Sequence, residues 1–407
     1  MDHTTPAPQV FVPRLIFWEV TKGCNLRCIH CRATATQLSA PTDLSTQAGM
    51  EIIDQIAAFA NPILVLSGGE PLFRNDIFRL ARHATDRGLR VALATNGTMV
   101  TKEIAQEIVN AGVRRVSISL DGADAATHDA FRGIDGAFDA SVLGLRNLRT
   151  VGMSVQINMT IARHNAHQLP EVLDLAKELG ADALHTFLLV PVGCGVDLAS
   201  DQMVAPDEYE RILHWFYDRS LEGGIELKAT CAPHYFRVAR QRRALEHPSA
   251  RAAEAQEQAQ PPATEEIAPT EMMIPGATGI EIRQSPQRTA QPTPAYSTHP
   301  SGMNAVTKGC LAGTGVCFIS HEGEVYPCGY LPVVAGDLKR QRLVDIWRDA
   351  EVFRALRKTD NLEGKCGCCE FRNVCMGCRA RAYAATGNYL SEEPFCVYQP
   401  QAAHQGP

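Results

Sequence analysis

Between residues 15 and 190, short apolar runs rich in β-branched residues recur at 15–20, 63–66, 90–95, 116–120, 155–161 and 184–190. Each is too short for a helix and is bounded by turn residues, so each reads as a strand. The stretches between them carry a helical period instead. Over 45–60, Ile52, Ile56 and Phe59 share one helical face, and over 169–179 Val172, Leu175 and Leu179 do the same. Strands alternating with amphipathic helices predict an α/β fold built on a parallel sheet. Six such units predict a partial (β/α)6 barrel. An amphipathic segment at 206–221, an apolar run at 225–229 and an arginine-rich helix near 235–244 extend it.

The pattern stops near residue 246. From there to about 300 the chain is dense in Ala, Gln, Glu, Pro and Thr, with few aromatics and no sustained period. Such a segment cannot bury enough surface to offset its ordering entropy. The expected organisation is a flexible tail at 1–13, the barrel with its helical extension at 14–240, a disordered low-complexity insertion at 241–301, and a loop-rich, cysteine-rich domain at 302–407. That last region carries one clear helical pattern, at 343–357.

Composition narrows the function. With 45% hydrophobic and 21% charged residues the chain is globular in character, and no apolar run approaches the ~20 residues of a membrane span. Residues 1–10 lack the basic start and apolar stretch of a secretory signal, which predicts a cytoplasmic protein. A net charge of −6 disfavours nucleic acid as a partner but leaves room for a local basic pocket. The 14 cysteines are too many for a cytosolic enzyme with no special use for sulfur, and too tightly grouped for a secreted disulfide framework. Metal is the simplest explanation.

Directly after the first strand comes Cys24-Asn25-Leu26-Arg27-Cys28-Ile29-His30-Cys31. The loop sits at the C-terminal end of a barrel strand, where barrels keep their active sites. Three thiolates can hold three irons of a 4Fe–4S cube and leave the fourth open to an outside ligand. A zinc loop with a distant fourth ligand is the alternative reading of the spacing.

These residues match the signature spacing of the radical SAM (S-adenosylmethionine) superfamily, which the chain resembles nearly throughout, the insertion excepted. The resemblance implies a radical SAM barrel whose open iron binds SAM and whose cluster Cys24, Cys28 and Cys31 hold as the catalytic centre. Ser67-Gly68-Gly69-Glu70 follows the second strand and resembles the family's GGE motif, in which small residues admit the methionine amine and the carboxylate accepts its hydrogen bonds. Thr95 and Asn96 end the third strand, Ser119 and Asp121 the fourth, and Asn158 lies in the fifth; all resemble SAM ribose and carboxylate contacts.

The C-terminal cysteines read Cys310, Cys317, Cys328, then Cys366, Cys369, Cys375, Cys378, and finally Cys396. This array, with Gly323 at a turn, resembles the SPASM extension of radical SAM enzymes and implies one or two auxiliary 4Fe–4S clusters. By resemblance Cys310, Cys317, Cys328 and Cys378 hold one, and Cys366, Cys369, Cys375 and Cys396 the other. A two-residue gap before Cys378, where the family has three, leaves that partition open, and a zinc ribbon would also accept the two CxxC pairs. Cys194, Cys231 and Cys368 have no ligand role in this scheme.

Three further stretches, 15–24, 228–237 and 308–317, resemble the SAM-dependent haem synthases of the siroheme-based haem pathway. The resemblance implies oxidative decarboxylation of two propionates of iron-coproporphyrin III to vinyl groups, giving protohaem, with a flavodoxin- or ferredoxin-type protein as electron donor. A substrate with four propionates calls for cations. Arg163, His164 and His167 after the fifth strand, His185 in the sixth, and His234 and Arg237 beyond Cys231 are the candidates, with His234 or Cys231 also a candidate axial ligand of the porphyrin iron. A haem d1 or siroheme-derivative enzyme, a peptide-modifying SPASM maturase and a cluster-bearing redox carrier are the competing readings.

Overall fold

The computed structural model describes residues 11–35, 41–246 and 309–401. Residues 1–10 of the expected tail and 247–301 of the expected insertion lie outside them. The described residues up to Arg240 and from 309 onward form one compact unit.

All six expected strands form: β1 (Leu15–Glu19), β2 (Ile63–Ser67), β3 (Arg90–Thr95), β4 (Arg115–Ser119), β5 (Ser154–Ile161) and β6 (Ala183–Leu188). They pair in chain order and in parallel, as crossover helices require. The helices start where the sequence supplies caps. Ser45 Oγ accepts from the Ala48 N–H at 3.2 Å ahead of Thr46–Phe59, and Thr101 and Asp124 cap Lys102–Asn110 and Ala125–Arg132 in the same way.

Three features depart from the expectation. The run at 225–229 is a seventh parallel strand, β7 (Glu226–Thr230), beside β6. The cysteine-rich region supplies an eighth, β8 (Val316–Ile319), which pairs in parallel with β1, Leu15 opposite Val316 and Trp18 opposite Ile319. An antiparallel pair, β9 (Glu324–Tyr326) and β10 (Gly336–Asp337), continues from it, so one ten-stranded sheet in the order β10-β9-β8-β1-β2-β3-β4-β5-β6-β7 joins the two expected domains. Finally, the helix expected at 343–357 divides into Leu343–Asp349 and Glu351–Leu356, because Ala350 takes ψ 132°.

Strand alternation gives the sheet two faces. Ile16, Trp18, Leu64, Leu66, Val91, Val116, Ile118, Val155 and Ile157 are fully buried and form the core with the helices. The opposite face carries Arg115, Gln156, Asn158, His185, Glu226 and Lys228. That face is concave: the Arg115 guanidinium on β4 lies 3.1 Å from the Glu226 carboxylate on β7, although β5 and β6 intervene. Three strand spacings, about 14 Å on a flat sheet, can be bridged by side chains only if the sheet curls around them. The partial barrel therefore has a polar lumen, and the cysteine loop lies at the end of the strands that open it.

Candidate active site and auxiliary metal centres

The cysteine loop is fixed before any metal is considered. Asp43 accepts from Thr21 Oγ1 at 2.6 Å and from the Lys22 N–H at 3.1 Å, pinning the turn that leaves β1. Glu19, buried at the end of that strand, takes His321 at 2.7 Å from the β8–β9 turn and also pairs with Arg32, the residue after Cys31. The three sulfurs all receive N–H donors: Cys24 from Leu26 at 3.4 Å and Asn96 at 3.9 Å, Cys28 from Arg132 at 3.6 Å, and Cys31 from Ala35 at 3.5 Å. Donors aimed at sulfur suit thiolates. Burial, with the charges of Glu70, Cys28 and Cys31 adding to it, pushes the Cys24 thiol up to about 12, so a cation is what would keep it deprotonated at neutral pH. The donor set therefore fits a metal–thiolate centre. Among the described residues no three His, Cys, Asp or Glu side chains converge on a single-ion site; that the three thiols are neighbours is seen in the influence of Cys28 and Cys31 on Cys24.

The loop after β2 packs directly on this turn. Gly69 N–H donates to Thr21 O and Glu70 N–H to Gly23 O, each at 2.8 Å. A Cβ on Gly69 would lie 2.4 Å from Gly23 O, so only glycine permits the approach. Glu70 is fully buried; its carboxylate accepts from Thr95 Oγ1 at 2.7 Å, the Asn96 N–H at 2.7 Å and the Leu72 N–H at 3.0 Å. Burial raises its pKa to about 7 despite those donors. An incoming ammonium, such as the amine of SAM, is the partner that such a carboxylate lacks. Thr95 and Asn96 thus bond it directly, while Ser67 and Gly68 precede it in the same loop, Gly68 against Thr21.

Ser119, at the end of β4, and Asn158, in the middle of β5, are register neighbours and stay partly exposed. Asp121 differs from the expectation. It is fully buried, accepts from the Thr160 N–H at 2.6 Å, and pairs with Arg132 at 2.6 Å and His30 at 3.4 Å. Burial alone would raise its pKa, but Arg132, His30 and His128 outweigh that and keep it ionised. It holds Arg132 against Cys28. The sequence reading missed Arg132, Phe131 and His30, whose rings stack at 3.9 Å for the last two. The signal was present: His30 occupies the last position before Cys31, and Arg132 ends the helix that follows Asp121.

The C-terminal cysteines fall into two neighbourhoods. Cys366, Cys369, Cys375 and Cys396 line one pocket together with His234, Arg237, Lys365 and Tyr398. A second group surrounds the half-buried Cys231: the charges of Cys378, Cys328 and Cys310 add to burial in raising its pKa, which marks these thiols as its neighbours. Cys317 is not among them. It sits on β8 opposite Ile16, fully buried in the apolar core, with Arg357 as the one charged group acting on it. Its place on a core strand turns the side chain away from the other three. Cys231 is held in a left-handed conformation, φ 55°, while its carbonyl accepts from Arg381 at 2.6 Å. Met376 and Gly377 are left-handed as well, φ 64° and 63°, so the two-residue link sends Cys375 into one group and Cys378 into the other. Glu393 joins both, accepting from the Cys378 N–H at 2.7 Å while its own N–H donates to Cys366 Sγ at 3.4 Å.

The substrate candidates divide. Arg163 and His167 are exposed, and His164 bonds the Thr127 carbonyl at 2.9 Å. His185 faces the lumen, 3.5 Å from Glu226. His234 and Arg237 line the pocket of Cys366, Cys369, Cys375 and Cys396: His234 is 1% exposed, its pKa is lowered by burial to about 3, and it lies 3.8 Å from Glu393, while Arg237 pairs with Glu210 at 2.5 Å. Cys231 neighbours Cys310, Cys328 and Cys378. Cys368 is exposed, and Cys194 donates its N–H to Cys31 O at 2.9 Å.

A curled parallel sheet, a three-thiol loop at its open end and two further thiol groups define the class: a radical SAM enzyme with a SPASM extension. The sequence profile of the radical SAM superfamily matches residues 18–176, and that of the SPASM iron–sulfur cluster-binding domain matches 310–370. The chain is 49% identical to an AdoMet-dependent heme synthase of Methanosarcina barkeri over 95% of its own length and 97% of that protein. It is 43% identical to that of Nitratidesulfovibrio vulgaris over 95% and 93%. In fold it is similar to Streptococcus suis SuiB bound to S-adenosylmethionine, with a TM-score of 0.66 at 15% identity over 95% of this chain and 77% of that one. The chain belongs to the radical SAM family of AdoMet-dependent haem synthases. It uses SAM and a 4Fe–4S cluster, and its SPASM region binds iron–sulfur. Among the described residues no helix is long and apolar enough to cross a membrane.

Proposed function

We propose that this enzyme converts iron-coproporphyrin III to protohaem by oxidative decarboxylation of two propionates to vinyl groups, in the cytoplasm and at the expense of a flavodoxin- or ferredoxin-type donor. The observation that carries the reading is identity to haem synthases sustained through both cysteine-rich regions. Cys24, Cys28 and Cys31 hold the SAM-cleaving cluster, and Glu70, Ser67, Gly68, Thr95, Asn96, Ser119 and Asn158 receive SAM. Bound there, cluster and SAM supply a 5′-deoxyadenosyl radical, which is able to take hydrogen from an unactivated carbon.

Each propionate gives up a hydrogen atom, one carbon dioxide and one electron to become a vinyl group. The electron needs an acceptor inside the protein. Cys231, Cys310, Cys328 and Cys378 form one auxiliary site, and Cys366, Cys369, Cys375 and Cys396 a second, which the Cys375–Cys378 link places next to it. Arg381 and Glu393, both buried, keep the first quartet in place against the barrel: Arg381 spans Glu393 at 3.1 Å, Tyr209 at 2.8 Å and the Cys231 carbonyl. The protein's own side chains orient and insulate rather than react. The test is anaerobic turnover of the reconstituted full chain with SAM, reductant and iron-coproporphyrin III. Protohaem accompanied by two equivalents each of carbon dioxide and 5′-deoxyadenosine is expected; deoxyadenosine without a vinyl product would assign another substrate.

A further inference from the structure

The geometry points to Lys228 as the cation that anchors a substrate propionate inside the barrel. The inference rests on the porphyrin reading above and deepens it, since the sequence candidates for that task have other positions or partners. Lys228 stands on β7 opposite His185 on β6, which stands opposite Asn158 on β5, which stands opposite Ser119 on β4. One continuous row of side chains thus runs along the concave face from the SAM-site residues Ser119 and Asn158 to Lys228. Two residues earlier on β7, about 7 Å toward the closed end, Glu226 is engaged by Arg115 at 3.1 Å and by His185 at 3.5 Å. That trio plugs the bottom of the lumen, and Lys228 is the next step up.

The ammonium of Lys228 has no carboxylate within ion-pair distance among the described residues, although the side chain is half-buried and burial lowers its pKa. Glu226, the nearest source of opposite charge, is already shared between Arg115 and His185. A half-buried cation left in this position suits an incoming anion. The rest of the surroundings suit a flat apolar ring carrying that anion. Phe187, two residues above His185 on the same face, and Tyr330, two residues past Cys328, stand 6.5 Å apart between ring centres above the row. Lys228 is also three residues before Cys231, so a carboxylate held there lies between the SAM row and the first auxiliary quartet. Hydrogen removal and electron removal both need that position.

The test compares binding of iron-coproporphyrin III and of its tetramethyl ester, which has the same macrocycle and no carboxylate, by Soret titration of the reconstituted full chain. Lys228→Met is expected to weaken binding of the acid about 10- to 100-fold while moving the ester less than about twofold, and Lys228→Arg to restore most of the loss. A structural role would shift acid and ester together and would overturn the inference, as would unchanged acid binding. Should Lys228→Met lose its iron, Lys228→Gln against Lys228→Arg makes the same comparison. A wild-type protein that binds neither porphyrin would instead defeat the porphyrin reading itself.

Discussion

Replacing Cys24, Cys28 or Cys31 with alanine abolishes the reductive cleavage of SAM, measured as 5′-deoxyadenosine released from reconstituted, reduced protein. On the proposed assignment these three thiols are the protein's ligands to that cluster, and each is already braced by an N–H donor. Losing one of three thiolates removes a bond to iron, a larger deficit than the about 10- to 100-fold cost of losing an outer hydrogen-bonding partner of a metal site. Retained cleavage in any one of the three variants would mean that the initiating cluster is held elsewhere.

The second large effect separates Cys231 from Cys317. Cys231→Ala is expected to lower iron content by about four per chain, from about twelve to about eight, if three cubes are bound. SAM cleavage should persist and vinyl product should fall, because the initiating cluster is separate from the electron acceptor. Cys317→Ala should keep its iron, since that sulfur lies in an apolar core where the change removes a small side chain and leaves a small cavity. The opposite pattern, iron lost with Cys317 and kept with Cys231, would restore the partition that the SPASM resemblance implies. Iron and sulfide analysis beside quantified deoxyadenosine and protohaem reads both outcomes.

That pair also shows where the sequence was legible and where it was not. The six strands at 15–190 were readable because each alternates with an amphipathic helix, and local period is enough to define a βα unit. The cysteine loop and the glycine-rich turn after β2 were readable because their chemistry is packed into a few consecutive residues. β8 was not, because Val316–Ile319 is four residues long and is made a strand by β1, some three hundred positions earlier in the chain. Its register is what turns Cys317 into the core. Cys231 was hidden for a matching reason: it lies before the insertion, separated in sequence from Cys310, Cys328 and Cys378, and only the fold of β7 back onto the sheet brings it to them. Lys228 lies in the stretch 228–237, but only the sheet register sets it level with Ser119 and Asn158. Spacing along the chain reports ligands that are close in sequence; it does not report those that a sheet assembles.

The reaction itself is tested most directly by following one atom. Iron-coproporphyrin III deuterated at the propionate β-carbons is turned over with unlabelled SAM, and the 5′-deoxyadenosine is examined by mass spectrometry. Hydrogen abstraction at that carbon predicts one deuterium in each deoxyadenosine that accompanies a vinyl group, whereas unlabelled deoxyadenosine alongside protohaem would contradict the account.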